Sequence, residues 1–374
     1  MIYLDNASTS MIKEEVNLEM IPYLTTQYYN PSSSYMVAHK VEEAIASARE
    51  KIANTINCQP EEIHFTASGS EADNWAIKGI IYACQKYRPH IITSQIEHHA
   101  VLNTCKQLEK LGLATVTYLA VDRFGHINLE DFENSITPNT ILASIMTVNN
   151  EIGVVEPIED IARICQKYSI VFHTDAVQAY GKIKFDMKKD NIDLLSVSGH
   201  KFGAPKGIGF LYIKEGTPID PLINGGQQEF GLRAGTENVP YIIGLSKACE
   251  IAHENIDKNV TAEKNFRLRL MANIIEKYPH VKFNGIPEVN ILNVDFSKYG
   301  VRAEEILAFM DEVGIQIGSG SACNTHSNLP SHVLKAIGLS DDEANSSIRI
   351  SFNEKNTEQD IDFFIQALDL FIGG

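Results

Sequence analysis

Basic charge, paired cysteines and long apolar runs are all scarce in this chain of 374 residues. Lysine and arginine number 32 against 48 aspartate and glutamate, a formal net charge of -16. That balance argues against a constitutive nucleic-acid binder, which needs a basic footprint. The six cysteines, Cys58, Cys84, Cys105, Cys165, Cys249 and Cys323, are scattered, and none belongs to a C-x-x-C pair. Such a distribution suits a reducing cytoplasm better than a disulfide scaffold or a structural zinc site. No uninterrupted apolar run approaches the roughly 20 residues of a membrane span. Met1 leads straight into Ile2-Tyr3-Leu4-Asp5, without the basic and apolar regions of a secretory signal. The expectation is a cytoplasmic protein that binds neither membrane nor nucleic acid. G-x-x-x-x-G-K and G-x-G-x-x-G are also missing, so nucleotide binding has no support.

What is present is ordinary globular material, with 44% hydrophobic and 21% charged residues. The length exceeds what one core usually organises, so two domains are expected. Short apolar runs at Ile91–Ser94, Thr115–Leu119, Ile141–Met146, Ile170–His173 and Leu194–Val197 alternate with amphipathic stretches such as Val101–Leu111 and Ile158–Tyr168. The alternation predicts an α/β fold with a mainly parallel sheet and helices on both faces. Ligands in such folds gather at the carboxyl edge of the strands. Beyond about residue 250 the pattern changes to a long polar helix, Ala252–Tyr278, with strands near Val281–Phe283 and Asn290–Phe296. Helices over Arg302–Glu312 and Thr357–Phe371 follow. The reading is a large domain over residues 13–255 and a smaller α+β domain formed by residues 1–12 and 256–374.

The most informative segment is Ser196-Val197-Ser198-Gly199-His200-Lys201, directly after a buried apolar strand. A lysine placed there reaches the crevice at the sheet edge, where its amine can form a Schiff base with an aldehyde cofactor once its pKa is lowered. Asp175 closes the preceding strand, and the residues between the two span about one crossover of helix and strand. Pyridoxal chemistry needs this pairing, a carboxylate at the ring nitrogen and a lysine at the aldehyde. Asp175 as a plain helix cap is an equal alternative at this point. Ala67-Ser68-Gly69-Ser70-Glu71 opens a helix running through Ala72 to Tyr82, whose free N–H groups suit a phosphate. Ser-x-x-Asp is also an ordinary capping pattern. Glu97-His98-His99 follows a strand, and an imidazole there can stack on a flat cofactor; a simple loop histidine stays open for His99. Adjacent histidines are poorly spaced for a metal, and no metal is expected. Asn149-Asn150-Glu151 offers amide donors.

Gly318-Ser319-Gly320-Ser321-Ala322-Cys323-Asn324 ends a run of very small residues in one thiol. An accessible thiol on such a loop suits a nucleophile, whereas the other five cysteines read as packing residues. Arg349, in the alternating run Ser347–Ser351, can bind a carboxylate bidentately or be a surface strand residue.

Taken in order, these motifs resemble the cysteine desulfurases, pyridoxal-phosphate enzymes of fold-type I in the class V aminotransferase superfamily. Arg233-Ala234-Gly235-Thr236 and Tyr3-Leu4-Asp5-Asn6-Ala7 belong to the same resemblance, which runs nearly end to end. It implies that Lys201 carries pyridoxal 5'-phosphate, Asp175 pairs the ring nitrogen, Gln178 bonds the phenolate oxygen and His98 stacks on the ring. It also implies that Gly69, Ser70, Ser198 and His200 hold the phosphate, and that Thr236 reaches the phosphate of the other subunit of a homodimer. Asn150 and Arg349 would orient the substrate carboxylate. Cys323 would take the sulfur of L-cysteine as a persulfide and pass it to an acceptor, an iron–sulfur scaffold or a tRNA-thiolation protein. The spacing from Cys323 to Pro330 resembles the branch with a long mobile cysteine loop. A selenocysteine lyase or another class V enzyme is the alternative reading. A non-catalytic binding relative is a third, against which intact Lys201, Asp175 and Cys323 argue. Four features depart from the usual pattern: Tyr35-x-x-Ala38 where His-x-x-Gly is common, Ser70 where threonine is frequent, Phe230 where arginine is frequent, and little chain after the last helix. They leave the identity of the acceptor open.

Overall fold

The computed structural model describes residues 1–319 and 329–373. Its first elements are β1 (Ile2–Tyr3), α1 (Glu14–Thr25), α2 (Met36–Ile56), β2 (Ile63–Thr66), α3 (Gly69–Ala83), β3 (His90–Ser94), α4 (His99–Lys110) and β4 (Thr115–Leu119). Then come α5 (Leu129–Asn134), β5 (Thr140–Ser144), α6 (Ile158–Tyr168), β6 (Val171–Asp175), β7 (Leu194–Ser198), β8 (Gly209–Ile213) and α7 (Val239–Lys277). The remainder comprises β9 (Lys282–Phe283), β10 (Ile291–Asp295), α8 (Ala303–Glu312), β11 (Ile315–Gln316), α9 (His332–Ala336), α10 (Asp341–Asn345), β12 (Ser347–Ser351) and α11 (Glu358–Ile372).

A seven-stranded sheet has the order β2-β8-β7-β6-β5-β3-β4. The strands from β7 through β4 run parallel, while β8 is antiparallel to both of its neighbours. Side chains alternate between the two faces. Ile92, Ala143, Leu195 and Phe210 join one core cluster; their chain neighbours Ile91, Leu142, Leu194 and Leu211 join another that includes Trp75. Near-continuous apolar strands are what a sheet covered on both faces requires. Phe172 is fully buried in the first cluster, and truncating it to alanine should cost about 3–5 kcal/mol. One detail departs from the sequence reading: residues 176–193, between β6 and β7, contain turns and no helix. Gly181, at φ +80°, takes a left-handed conformation that ends any helical run begun at Ala176.

A second core gathers Leu4, Leu270, Ile306, Ile350 and Phe364. Its sheet has the order β12-β10-β9, and β1 pairs with β11 in parallel. The N-terminal residues thus lie beside the C-terminal elements, and Asp5 bridges Ser351. This pairing carries residues 6–10 across to the carboxyl edge of the large sheet, where Ser10 N–H donates to the His200 carbonyl. Among the described residues, no helix is long and apolar enough to cross a membrane.

Candidate active site

Strands β6 and β7 are parallel neighbours with Asp175 opposite Ser196, so Asp175 and the turn after β7 share one edge. A tight 3-10 turn, Gly199–Lys201, follows β7 and brings Lys201 there. Its Nζ donates to the carbonyls of Ala7, at 2.5 Å, and Ser8, at 3.0 Å. Burial pushes the amine down to about 7; the Arg349 and Lys182 charges add to this, and Asp175 opposes it. An amine in that range is a nucleophile near neutral pH. Asp175 is buried, and its Oδ1 accepts from Val177 N–H at 2.9 Å. Burial raises its carboxyl above the usual range, while that hydrogen bond and Lys201 hold it back.

Lys201 and Asp175 line one cavity of about 310 Å³ together with Gly69, Ser70, His98, Asn150, Gln178, Ser198, His200 and Arg349. Gly69 begins α3, where Ser68 caps the helix by accepting from Glu71 N–H at 3.1 Å. A Cβ on Gly69 would meet Val177 Cγ2 at 2.6 Å, so only glycine lets the helix start approach the β6 turn this closely. His98 caps α4 through Nδ1, which accepts from Ala100 N–H at 3.2 Å. Burial, then the Lys201 charge, pushes the ring down to about 4, so it is neutral at pH 7 with its proton on Nε2. His200 is pushed to about 4, chiefly by burial, and its Nδ1 lies 3.2 Å from the Thr9 hydroxyl. Gln178 donates from Nε2 to the Ala7 carbonyl at 2.8 Å. Arg349 donates from Nη2 to Asp5 and Ser8, both at 2.7 Å, and from Nη1 to the Asn150 carbonyl at 3.0 Å. Among the described residues its Nε has no partner.

Two expected residues stand elsewhere. Thr236 is exposed and lines a separate cavity with Phe65, Gly207 and Asn238. Cys323 lies outside the described residues. Of the other cysteines, Cys58, Cys105, Cys165 and Cys249 are buried, and burial pushes each thiol up to about 12. Phe230 sits at φ +59° with its ring centroid 5.0 Å from the Arg49 guanidinium. Arg49 also forms a buried bidentate pair with Glu229, at 2.8 and 2.9 Å. A larger cavity of about 680 Å³ lies near the opposite ends of β5 and β6, among Thr140, Ile141, Ile170 and Val171. It holds none of these groups.

The structure also supplies residues that sequence reasoning missed. The Ser70-x-x-Asp73 capping alternative fails, because Ser68 is the cap and Asp73 faces the cavity instead. Its signal was an acid on the helix face that carries Ala72, Trp75 and Ala76, all buried. Lys182 is the other, a half-buried lysine whose Nζ donates to the Gln178 carbonyl at 2.9 Å and to its side-chain Oε1 at 3.3 Å. Asp73, His98 and Asp175 cluster closely enough to hold a cation, but the amine and the helix N-terminus in the same cavity point to an anionic aldehyde.

The cavity fits pyridoxal phosphate on those grounds: a free amine for the aldehyde, a fixed carboxylate for the ring nitrogen, and a glycine-opened helix start for the phosphate. Comparison with known proteins agrees. Residues 2–364 match the family model described as Aminotransferase class-V. Cysteine desulfurase IscS of Clostridium botulinum (strain Hall) is 48% identical over 99% of this chain and 94% of that protein. A solved NifS-like protein superposes with a TM-score of 0.93 at 36% identity, covering 100% of this chain and 99% of that one. The structure described as SspA in complex with cysteine gives a TM-score of 0.82 at 40% identity, over 96% of this chain and 100% of that one. Matched nearly end to end at such identity, the chain belongs to the aminotransferase class-V family and, within it, to the pyridoxal-phosphate-dependent cysteine desulfurases.

Proposed function

We propose that this chain takes sulfur from L-cysteine, leaves L-alanine, and holds the sulfur as a persulfide on Cys323 for an acceptor protein. One observation carries the reading: an amine pushed to about 7 shares a cavity with a buried carboxylate on the neighbouring strand. The family to which the chain belongs and the cysteine bound to the SspA relative support the substrate. Bound pyridoxal phosphate supplies an electron sink for charge developing at Cα. Lys201 holds the cofactor's aldehyde and, once displaced, accepts the Cα proton. Asp175 keeps the ring nitrogen protonated, and His98, neutral, packs on the ring. Gln178 bonds the phenolate oxygen. Gly69, Ser70, Ser198 and His200 hold the phosphate at the α3 start. Arg349, through an Nε with no partner among the described residues, and Asn150 bind the substrate carboxylate. The Cys323 thiolate then attacks the substrate sulfur. An S–S bond forms as the carbon–sulfur bond breaks; the β-carbon keeps the electron pair and takes a proton, and Lys201 returns the Cα proton to give alanine.

Thr236, exposed on one chain, completes the phosphate site of a second copy in a homodimer. Exposed Tyr28, Tyr35, Met36 and Phe230 are apolar surface that such an interface would cover. The acceptor is an iron–sulfur scaffold or a tRNA-thiolation protein. A reducing cytoplasm suits a chemistry that needs a free thiol, and the described cysteines are all free. We also propose the division into residues 13–255 and residues 1–12 with 256–374, with α7 spanning the join.

The test is sulfide and alanine release from L-cysteine by wild type, Lys201→Ala and Cys323→Ala. Both variants should lose turnover, and Cys323→Ala should still change the visible spectrum on adding cysteine. Full sulfide release by Cys323→Ala would remove the thiol from the reaction.

A further inference from the structure

One acid in the cavity has no part in the steps above. Asp73 lies on the first turns of α3, is 1% exposed, and faces the same cavity as Lys201. One of its carboxyl oxygens, one of Asp175 and a ring nitrogen of His98 all lie within 4.8 Å of one another. Among the described residues its Oδ1 has no hydrogen-bond partner. The nearest base is His173 Nε2 on β6, 3.7 Å away. That ring is already committed, with hydroxyls of Ser144 and Ser196 each 2.9 Å from one of its nitrogens, and burial holds it neutral. Glu97, from the β3–α4 connection, also faces the pair; it is buried and itself driven toward the neutral acid. His98 is neutral as well. Among the described residues, the one cation acting on Asp175 is Lys201, and it is tied to the Ala7 and Ser8 carbonyls.

No cation lies between these close, buried carboxyl groups among the described residues, and the single positive charge of a bound, protonated ring nitrogen would pair with only one of them, so the two are not both charged near neutral pH. Asp175 has the N–H of Val177 and Lys201 to stabilise its charge; among the described residues Asp73 has only the hydroxyl of Ser196. The proton therefore belongs on Asp73. We propose that Asp73 is the un-ionised half of a carboxyl pair and a positioning residue for Asp175, holding the proton so that Asp175 alone presents negative charge to the ring nitrogen. A second charge there would hold the Lys201 amine protonated and oppose its role as nucleophile. The proposal rests on the reading of Asp175 as the ring-nitrogen partner.

The test uses infrared spectra of the holoenzyme, unlabelled and with ¹³C in the aspartate side-chain carboxyl. At about pH 8, well above the ordinary aspartate range, wild type should show a label-sensitive band of a protonated carboxyl that Asp73→Asn removes. The amide copies the shape and neutrality of the acid, so Asp73→Asn should move the pH midpoint of the holoenzyme's visible absorbance by less than about half a unit. Removing a true charge at this distance would move it by a unit or more. Asp73→Leu keeps the volume but lacks a donor; it should leave Asp175 a stronger base, raise the midpoint by about half a unit or more, and loosen cofactor binding about tenfold. Absence of the band in wild type, its survival in Asp73→Asn, or a midpoint moved by half a unit or more in Asp73→Asn overturns the proposal. The wild-type spectrum decides even where a variant does not fold. Failure of the underlying reading looks different: Asp175→Ala would then keep the visible band and its midpoint, while the Asp73 proton can still be read in the apoprotein.

Discussion

Replacing Lys182 by methionine removes a half-buried positive charge that helps keep the Lys201 amine unprotonated. Glu263 is buried and would lose the strongest of the cations that hold its carboxyl down, leaving Arg267 and Lys13, so the informative protein is the double variant Lys182→Met, Glu263→Gln. In wild type, burial first, then Arg349 and Lys182, take the Lys201 amine from 10.5 to about 7. An ordinary lysine leaves roughly one amine in three thousand free at pH 7, whereas Lys201 leaves about half, an advantage on the order of a thousandfold. Removing one charge should raise the midpoint by about half a unit to a unit, since burial remains the main cause, and cut the free amine at pH 7 about three- to tenfold. The assay is the rate at which apoprotein takes up pyridoxal phosphate across pH, with the adduct trapped by borohydride and located by peptide mass. Wild type should give a midpoint near 7 and the double variant a higher one. A wild-type midpoint near that of free lysine, or a downward shift in the variant, would refute the argument that burial and neighbouring cations free the amine.

Two further outcomes concern stability. Arg49→Met strands Glu229 in the interior, where it otherwise accepts from Arg49 and from Phe65 N–H at 2.9 Å; urea unfolding should show a loss of about 3–5 kcal/mol, mostly recovered by adding Glu229→Gln. The apoprotein should also lose stability as pH falls from the ordinary histidine value of 6.5 toward 4. His98 and His173 stay neutral when folded, at about 4 and about 3, while the unfolded chain takes up protons below 6.5. Stability from this source is present above 6.5 and lost on acidification, on the order of 3 kcal/mol for each ring; urea midpoints that do not fall between pH 6.5 and pH 4.5 would contradict it.

Much of the frame was legible because periodicity reports burial. The run Thr115–Leu119 and the helix Ile158–Tyr168 stand as read, and the boundaries of β3, β5 and β7 differ from the reading by a residue or two. The turn between β6 and β7 was misread as containing a helix, since Ala176–Tyr180 has helix-forming residues and only Gly181 and the local turn bonds stop it. The antiparallel strand β8, lying between the edge strand β2 and β7, was not read at all. Pairing direction depends on which strand lies beside which, and no local pattern encodes that. Asp73 escaped for a similar reason: Ser70-x-x-Asp73 is a capping pattern until the true cap, Ser68, is seen.

By itself the sequence determined the chemistry that is available: one lysine after an apolar strand, one aspartate closing its neighbour, one thiol in a run of small residues. Those assignments follow from residue type and from what a strand end exposes. Only the tertiary structure decided what state these groups are in. The Ala7 and Ser8 carbonyls reach Lys201 because β1 pairs with β11, more than three hundred residues away. The same enclosure removes water from the amine, the imidazoles and the paired acids. Charge in a protein is set by what surrounds a group in space, so protonation, and with it the division of roles between Asp73 and Asp175, exists only once the chain has folded.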